Sequence, residues 1–572
     1  MFDLVIRGGD VIDGTGAPRI RADVAVKDGR VVAIGRIDGE AARVIDATGK
    51  IVSPGFIDVH THYDAQAFWD GALTPSPLHG VTTVLGGNCG FSIAPLTGDP
   101  ADADYLMRML ARVEGMPLES LQEGVPWSWR TTAEYLDELE GRVGPNIAVM
   151  VGHSAIRRVT MGADANKRAA TADEIETMSR LLREGLEAGG LGFSSSWART
   201  HNDADGQMVP SRHANKEELL ALCGVTGEFA GTSLEFLPMV GQFEPWAKEL
   251  MADMSVAAGR PLNWNILVIN EANAGGIENQ LSAGDLARER GGKVVALTIP
   301  KISGIRLSFA SGFVLDAMPG WDTVMGLPRS YKKAILGDPA ARAELNAAAQ
   351  SPDNPMRGVA NWETRRIFST LAPENRQYDG RMVGEIAAEQ GRDPFDVLCD
   401  IAVKDDLLTS FGIDTPVSTD EDWKLRLDVW RDGRAVIGAS DAGAHLDLLA
   451  TFNYTTTLLG EAVRDRGLLP LEEAVHLITE VPAELYGLVD RGRLAEGLPA
   501  DIVVFDPATI DTDETVLRAD LPGGAARLYA GSRGVEHVIV NGESLVTNGQ
   551  LTASRPGTVL RSGRDTRTPS MA

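Results

Sequence analysis

Gly55-Phe-Ile-Asp-Val-His60-Thr-His62 is an apolar run that ends in two histidines one residue apart. In an extended chain alternate side chains share a face, so His60 and His62 turn both imidazoles to the same side. Two imidazoles so placed can offer ring nitrogens to one cation. Alone, the pair reads equally as a chance His-x-His, but two further runs repeat the pattern. Val81-Thr-Thr-Val-Leu-Gly-Gly-Asn-Cys89-Gly90 ends by delivering a cysteine into a glycine-rich turn, and Ala435-Val-Ile-Gly-Ala-Ser-Asp441-Ala-Gly-Ala-His445 ends in an acid among small residues.

Between these runs, other β-branched and apolar stretches alternate with helix-like segments: Ile147-Ala-Val-Met-Val-Gly, Leu191-Gly-Phe-Ser, Ser233-Leu-Glu-Phe-Leu and Val294-Val-Ala-Leu-Thr. Such alternation implies a parallel sheet with crossover helices. One helix is easily placed, because Thr171 and Glu174 stand in capping-box spacing before an apolar stripe. No Gly-x-Gly-x-x-Gly follows the first strand, and ligands at strand ends suit a closed barrel better than a doubly wound sheet. The expected fold is therefore α/β, a (β/α)8 TIM-like barrel over residues 54–489 with insertions, the segment 339–374 lying over its mouth.

The two ends of the chain have another texture. Residues 1–53 read as short strands punctuated by glycine, with a hairpin turn at Asp28-Gly29, and the style returns in residues 490–560. Both ends are expected to meet in one small β-sandwich domain. The polar tail, 561–572, is expected to be mobile.

Composition narrows the partners. With 54 basic and 80 acidic residues the formal charge is −26, which opposes binding to nucleic acid or to anionic membranes. The chain has no apolar run of spanning length and no basic-then-apolar start, so a cytoplasmic protein acting on a small molecule is expected. Three dispersed cysteines, Cys89, Cys223 and Cys399, argue for reduced thiols rather than a disulfide framework. Self-association into a homo-oligomer is compatible with this size, but no residue specifies it.

Asp441 sits where a general base at the barrel mouth belongs. A lone cysteine is often a small buried hydrophobe, but Cys89 stands at a strand end, where a thiolate can ligate a metal. His153, in Val151-Gly-His-Ser, either lines the pocket or satisfies backbone groups, and His445 has the same two readings. Arg199 and His201, in the segment Trp197-Ala-Arg-Thr-His-Asn-Asp-Ala-Asp205, belong either to a solvated loop or to the substrate pocket. His79, His213, His476 and His537 fall in contexts that read as structural.

Taken together, Pro54-Gly-Phe-Ile-Asp-Val-His-Thr-His62, Gly87-Asn-Cys-Gly90, Val151-Gly-His-Ser-Ala-Ile-Arg157, Gly438-Ala-Ser-Asp441 and Gly497-Leu-Pro-Ala-Asp-Ile-Val-Val-Phe-Asp506 resemble the amidohydrolase superfamily. The Asn-Cys-Gly turn and the Gly-His-Ser segment narrow the resemblance to the N-acyl-D-amino-acid deacylases, over nearly the whole chain. It implies a zinc-type hydrolase in which a metal-bound water attacks an amide carbonyl. Asp441 would take the water's proton and pass it to the leaving amine.

The chain departs from that pattern at two ligand positions. Where the deacylases bring metal-ligating histidines it has Gly231-Thr-Ser-Leu-Glu235-Phe-Leu-Pro238 and Pro261-Leu-Asn263-Trp-Asn265-Ile-Leu-Val. Glu235 is a candidate replacement ligand, whereas the Asn265 amide is a poor partner for zinc and is placed in the substrate pocket. The expectation is thus one divalent metal, zinc, per chain, held by His60, His62 and Asp441, with Cys89 in or near its shell. The substrate expected is an N-acyl-D-amino acid or related linear amide. The alternatives are another amide, a cyclic amide, a carbamate or an ester, or a degenerate barrel that only binds a ligand.

Overall fold

The computed structural model describes residues 1–301, 304–354 and 356–571. Eight parallel chain runs carry the chemistry: Phe56–Asp58, Val81–Gly86, Asn146–Val149 continuing into Val151–Gly152, Gly192–Ser196, Ser233–Leu237, Leu262–Trp264, Val294–Thr298 and Ala435–Ile437. Each pairs with the next in parallel register. The last returns to the first, since Val59 N donates to Gly438 O and Thr61 bridges Ala442 in parallel. Helices Ala172–Glu187, Lys216–Gly227, Pro245–Ala258 and Ala274–Glu289 fill the connections, and both halves of the Thr171–Glu174 capping box are formed.

These runs are short and buried on both faces, which is why they read as continuous apolar segments rather than as alternating ones. Their interior is filled by Ile57, Val59, Leu85, Ala148, Met150, Val295, Leu297 and Val436. All eight runs point the same way, so the residues that follow them gather at one end.

The chain termini share one sheet. Ile51–Pro54 pairs antiparallel with Ile502–Phe505, setting Val52 opposite Val504. That contact joins Phe2–Val11, Ile20–Lys27 and Arg30–Gly35 on one side to Val535–Val540 and Glu543–Thr547 on the other. Asp28 and Gly29 both have positive φ, +48° and +76°, between paired strands, as a type I′ hairpin requires. Leu4, Ile6, Val24, Val52, Ile502 and Val504 pack as its own core.

Two sequence expectations change. The insertion read as 339–374 is part of a larger body over 306–412. It has a three-stranded antiparallel sheet of Arg306–Leu307, Arg366–Ser369 and Ser410–Gly412 and a core of its own around Phe309, Trp321, Trp362 and Phe395. The tail expected to be mobile is instead tied down. Arg561 Nη1 donates to Ala188 O at 2.8 Å, and Thr566, 4 % exposed, donates to Gly231 O at 2.7 Å. Its polar side chains serve backbone carbonyls of the parallel-strand body, a role that polarity alone does not separate from solvation. Residue 355 of the insertion and residue 572 of the tail lie outside the described residues.

Candidate metal and catalytic centre

His60 and His62 follow the Phe56–Asp58 strand, are 0 % and 1 % exposed, and have ring centroids 5.4 Å apart. Asp441 comes back to them across the closing seam, its backbone N donating to His60 O. Its Oδ1 lies 3.1 Å from His62 Nε2 and 3.6 Å from His60 Nε2. The approach depends on Gly443, where φ is +93° and a Cβ would stand 2.5 Å from the His62 carbonyl carbon. Asp441 itself adopts φ +60°, a left-handed conformation that costs order 1–3 kcal/mol in a non-glycine residue and concentrates at working sites.

Cys89 enters from the turn after Val81–Gly86, also at positive φ, +55°. Its Sγ lies 3.7 Å from His60 Nε2. Four neighbours hold that turn. Asn88 Nδ2 donates to Thr61 O and Leu85 O at 3.1 and 2.9 Å, Gly90 N donates to Ser194 Oγ at 3.0 Å, and Cys89 N donates to Glu235 Oε2 at 2.7 Å. Glu235 therefore does reach the centre from its strand, with Oε1 buried and without a hydrogen bond. Asn265, just beyond Leu262–Trp264, places Nδ2 3.2 Å from His60 Nε2.

A residue that sequence reasoning passed over completes the cluster. Glu114 follows the helix Pro100–Val113, is 3 % exposed, and sets Oε2 3.6 Å from His62 Nε2 and 3.8 Å from His445 Nε2. The only available signal was an acid at a helix C-terminus, where the macrodipole disfavours negative charge. His445, at φ +49°, holds Nε2 3.6 Å from Asp441 Oδ2 while its ring packs 4.8 Å from that of Phe313 in the insertion.

The other candidates are placed as follows. His201 bonds Ser196 Oγ through Nδ1 at 2.8 Å and packs 5.1 Å from the Phe91 ring. The structure does not bring His153 or Arg199 into the donor cluster. Both His153 ring nitrogens are used, by Ser195 Oγ and Glu218 Oε1 at 2.8 Å each, behind the Cys89 turn. Glu218 is in turn bound by buried Arg157. Arg199 is exposed. A cleft of about 1350 Å³, lined by Arg112, Met116, Asn202, Asp205, Asp316 and Lys332 among others, borders the helix that carries Glu114.

Burial dominates the electrostatics. It pulls His60 down to about 3 and pushes Glu235 up to about 8. It raises Glu114 as well, against the pull of His62. Burial also lowers His62, but the Glu114 and Asp441 carboxylates outweigh it and hold the imidazole up at about 10. Asp441 is pushed up by burial, yet its contact with His62 keeps it below the usual carboxylate range. Burial lifts the Cys89 thiol well above its ordinary value, and Glu235, Glu114 and Asp441 lift it further.

A buried set of imidazoles and carboxylates with unpartnered atoms, among them His60 Nδ1, His62 Nε2 and Glu235 Oε1, is suited to a divalent cation. Among the described residues, two overlapping groups have donor atoms within 4.8 Å of one another: His60, His62 and Cys89, and His62, Glu114 and Asp441.

Comparison with known proteins agrees with this chemistry. A family model described as "Amidohydrolase family" matches residues 43–300 and 334–546, its gap falling at the start of the insertion. The D-aminoacylase of Alcaligenes xylosoxydans xylosoxydans is 30 % identical over 568 residues, 98 % of this chain and 97 % of that protein. The N-acyl-D-glutamate deacylase of the same organism is 32 % identical, over 98 % of this chain and 96 % of that one. The crystal structure of N-acyl-D-glutamate deacylase from Bordetella bronchiseptica, complexed with zinc and a phosphonate inhibitor, superposes with a TM-score of 0.64 at 27 % identity, covering 98 % of this chain and all of that one. The chain belongs to the amidohydrolase family and is a hydrolase of the D-aminoacylase type.

Proposed function

We propose that this protein hydrolyses the linear amide C–N bond of an N-acyl-D-amino acid or closely related amide. In this reading its parallel strands form a (β/α)8 barrel and its two ends a small β-sandwich. One divalent cation per chain, zinc, is held at the cluster of His62 and Asp441, with His60 and Cys89 beside it. The observation that carries the reading is the placement of Asp441 Oδ1 within 3.6 Å of both histidine Nε2 atoms.

When bound there, a dication supplies Lewis acidity that polarises an amide carbonyl and makes water nucleophilic near neutral pH. The protein's own groups do the rest. Asp441, whose side chain is 27 % exposed and so open to the strand ends, accepts the proton of the attacking water at a carboxylate oxygen. It returns that proton to the departing nitrogen, which an amide requires because its free anion leaves poorly. His445 stands beside Asp441 Oδ2 and steadies the carboxylate between those two steps. Phe313 packs on the His445 ring. The relatives named for D-amino-acid substrates support the stereochemistry.

The test is a substrate panel run on protein whose metal content has been measured. N-acetyl-D-amino acids with apolar, acidic and basic side chains are compared with their L forms, with hydantoins and with esters. Turnover confined to N-acyl-D-amino acids is the expected result. A preference for substrates lacking an α-carboxylate would overturn the reading.

A further inference from the structure

We infer that this chain seats its cation on the Glu114 side of His62, with Glu114 as the ligand beside His62 and Asp441, rather than on the Cys89 side. The inference rests on the reading that the centre binds a divalent cation, and it says which side chains hold it.

Geometry comes first. Ligands 2.0–2.2 Å from a tetrahedral zinc ion lie about 3.4 Å from one another. His62 Nε2 is 3.1 Å from Asp441 Oδ1 and 3.6 Å from Glu114 Oε2. His445 Nε2 is 3.6 Å from Asp441 Oδ2 and 3.8 Å from Glu114 Oε2. Donor atoms of His62, Glu114 and Asp441 thus lie within 4.8 Å of one another, three protein ligands that leave the fourth position of a tetrahedral ion open, with His445 flanking both carboxylates. His62 Nε2 is buried and has no hydrogen bond of acceptable geometry, although two carboxylate oxygens face it.

Charge points the same way. Glu114 and Asp441 bring two carboxylates to one imidazole, and among the described residues the ion-pair partners of Glu114 are His62 and His445. The nearby Arg112 turns instead to Asp316, at 2.8 Å. Buried like charges of this kind are stable only when paired, and a dication matches two carboxylates.

The Cys89 side brings one carboxylate rather than two. Beyond His60 it offers a thiol, the amide of Asn265 and Glu235, one of whose oxygens is already bound by Cys89 N. An amide is a weak zinc partner.

The backbone is built for the Glu114 position. His445 N donates to Glu114 O, and Gly115, at φ +57°, lets the chain pass where a Cβ would lie 3.3 Å from His445 Cα. The helix end and the Asp441 loop are therefore fixed against each other.

The experiment uses the full chain stripped of metal and reloaded with zinc or cobalt(II). Affinity is read by competition with a chelator, stoichiometry by elemental analysis, and ligation by the cobalt absorption spectrum. In wild type one cobalt ion is expected, with no thiolate-to-metal charge-transfer band. Glu114→Gln should weaken binding by more than about 100-fold, beyond what losing a merely supporting partner costs, and Cys89→Ser should leave affinity and spectrum unchanged. Glu114→Asp, which keeps the charge, should recover part of the affinity. A strong thiolate band in wild type, which needs no variant to fold, or full affinity in Glu114→Gln with loss in Cys89→Ser, overturns the inference while leaving a metallohydrolase in place. Wild type that takes up no metal overturns both.

Discussion

Asp441 and His62 come from opposite ends of the parallel-strand series, yet Asp441 Oδ1 and His62 Nε2 are 3.1 Å apart. The contact is made where the Ala435–Ile437 run comes back beside the first, Val59 N donating to Gly438 O. Replacing Asp441 with asparagine keeps the shape and removes the proton acceptor. We expect Asp441→Asn to lower kcat by at least about 10²–10⁴, the range that positioned acid–base catalysis contributes, measured on the substrate identified by the panel. Wild-type turnover in this variant would show that the proton goes elsewhere.

His60→Ala, His62→Ala in one chain should bind no metal after dialysis and reloading, as counted by elemental analysis. The centre then has no imidazole from the first strand to share with Asp441. Retention of a full equivalent would place the cation outside the cluster.

The Ser195–His153–Glu218–Arg157 chain tests structure against chemistry. All four residues are buried, and Glu218 accepts from both His153 and Arg157. Glu218→Ala leaves a guanidinium uncompensated, which costs about 3–5 kcal/mol. A large drop in the thermal midpoint with unchanged metal content is the expected outcome. An unchanged midpoint with lost turnover would instead give His153 a part in the reaction.

His79 gives a pH prediction. Burial lowers its pKa to about 4, and its ring bonds Thr456 Oγ1 and Ala530 O. Unfolded, the ring titrates near 6.5, so between these values the unfolded chain binds more protons. Its stabilising contribution is complete above pH about 6.5 and is lost as pH falls through about 4. The full effect is about 3 kcal/mol. Urea unfolding of wild type and His79→Gln from pH 7 to 4 should show a steeper loss in wild type. Parallel curves would count against it.

What could be read in the sequence was the part that local pattern determines. The runs ending in His60, His62, Cys89 and Asp441 are short, apolar and bounded by glycine, so each strand end announces a candidate ligand. The capping box at Thr171 is equally local. Glu114 could not be read this way, because it lies about 50 residues from His62 in sequence and follows a helix rather than a strand. Only the turn at Gly115 and the contact with His445 bring it in. The insertion's limits were hidden for a related reason. Its core joins Phe309, Trp321, Trp362, Phe395 and Phe411, aromatic residues too widely spaced to form any periodic signal. The tail was misread because polar side chains that bond carbonyls of another element look, in sequence, like side chains that bond water.

The pairing of Val52 with Val504 carries a consequence for how the protein is made. The Ile51–Pro54 strand must wait for a partner some 450 residues later in synthesis, roughly 20–90 s at ribosomal speeds of about 5–20 residues per second. Through that interval the edge of Ile51–Pro54 that Ile502–Phe505 will cover is open, a template for other chains. Yield in a heterologous host should therefore respond to elongation rate and chaperone supply more than to substitutions at the candidate metal centre.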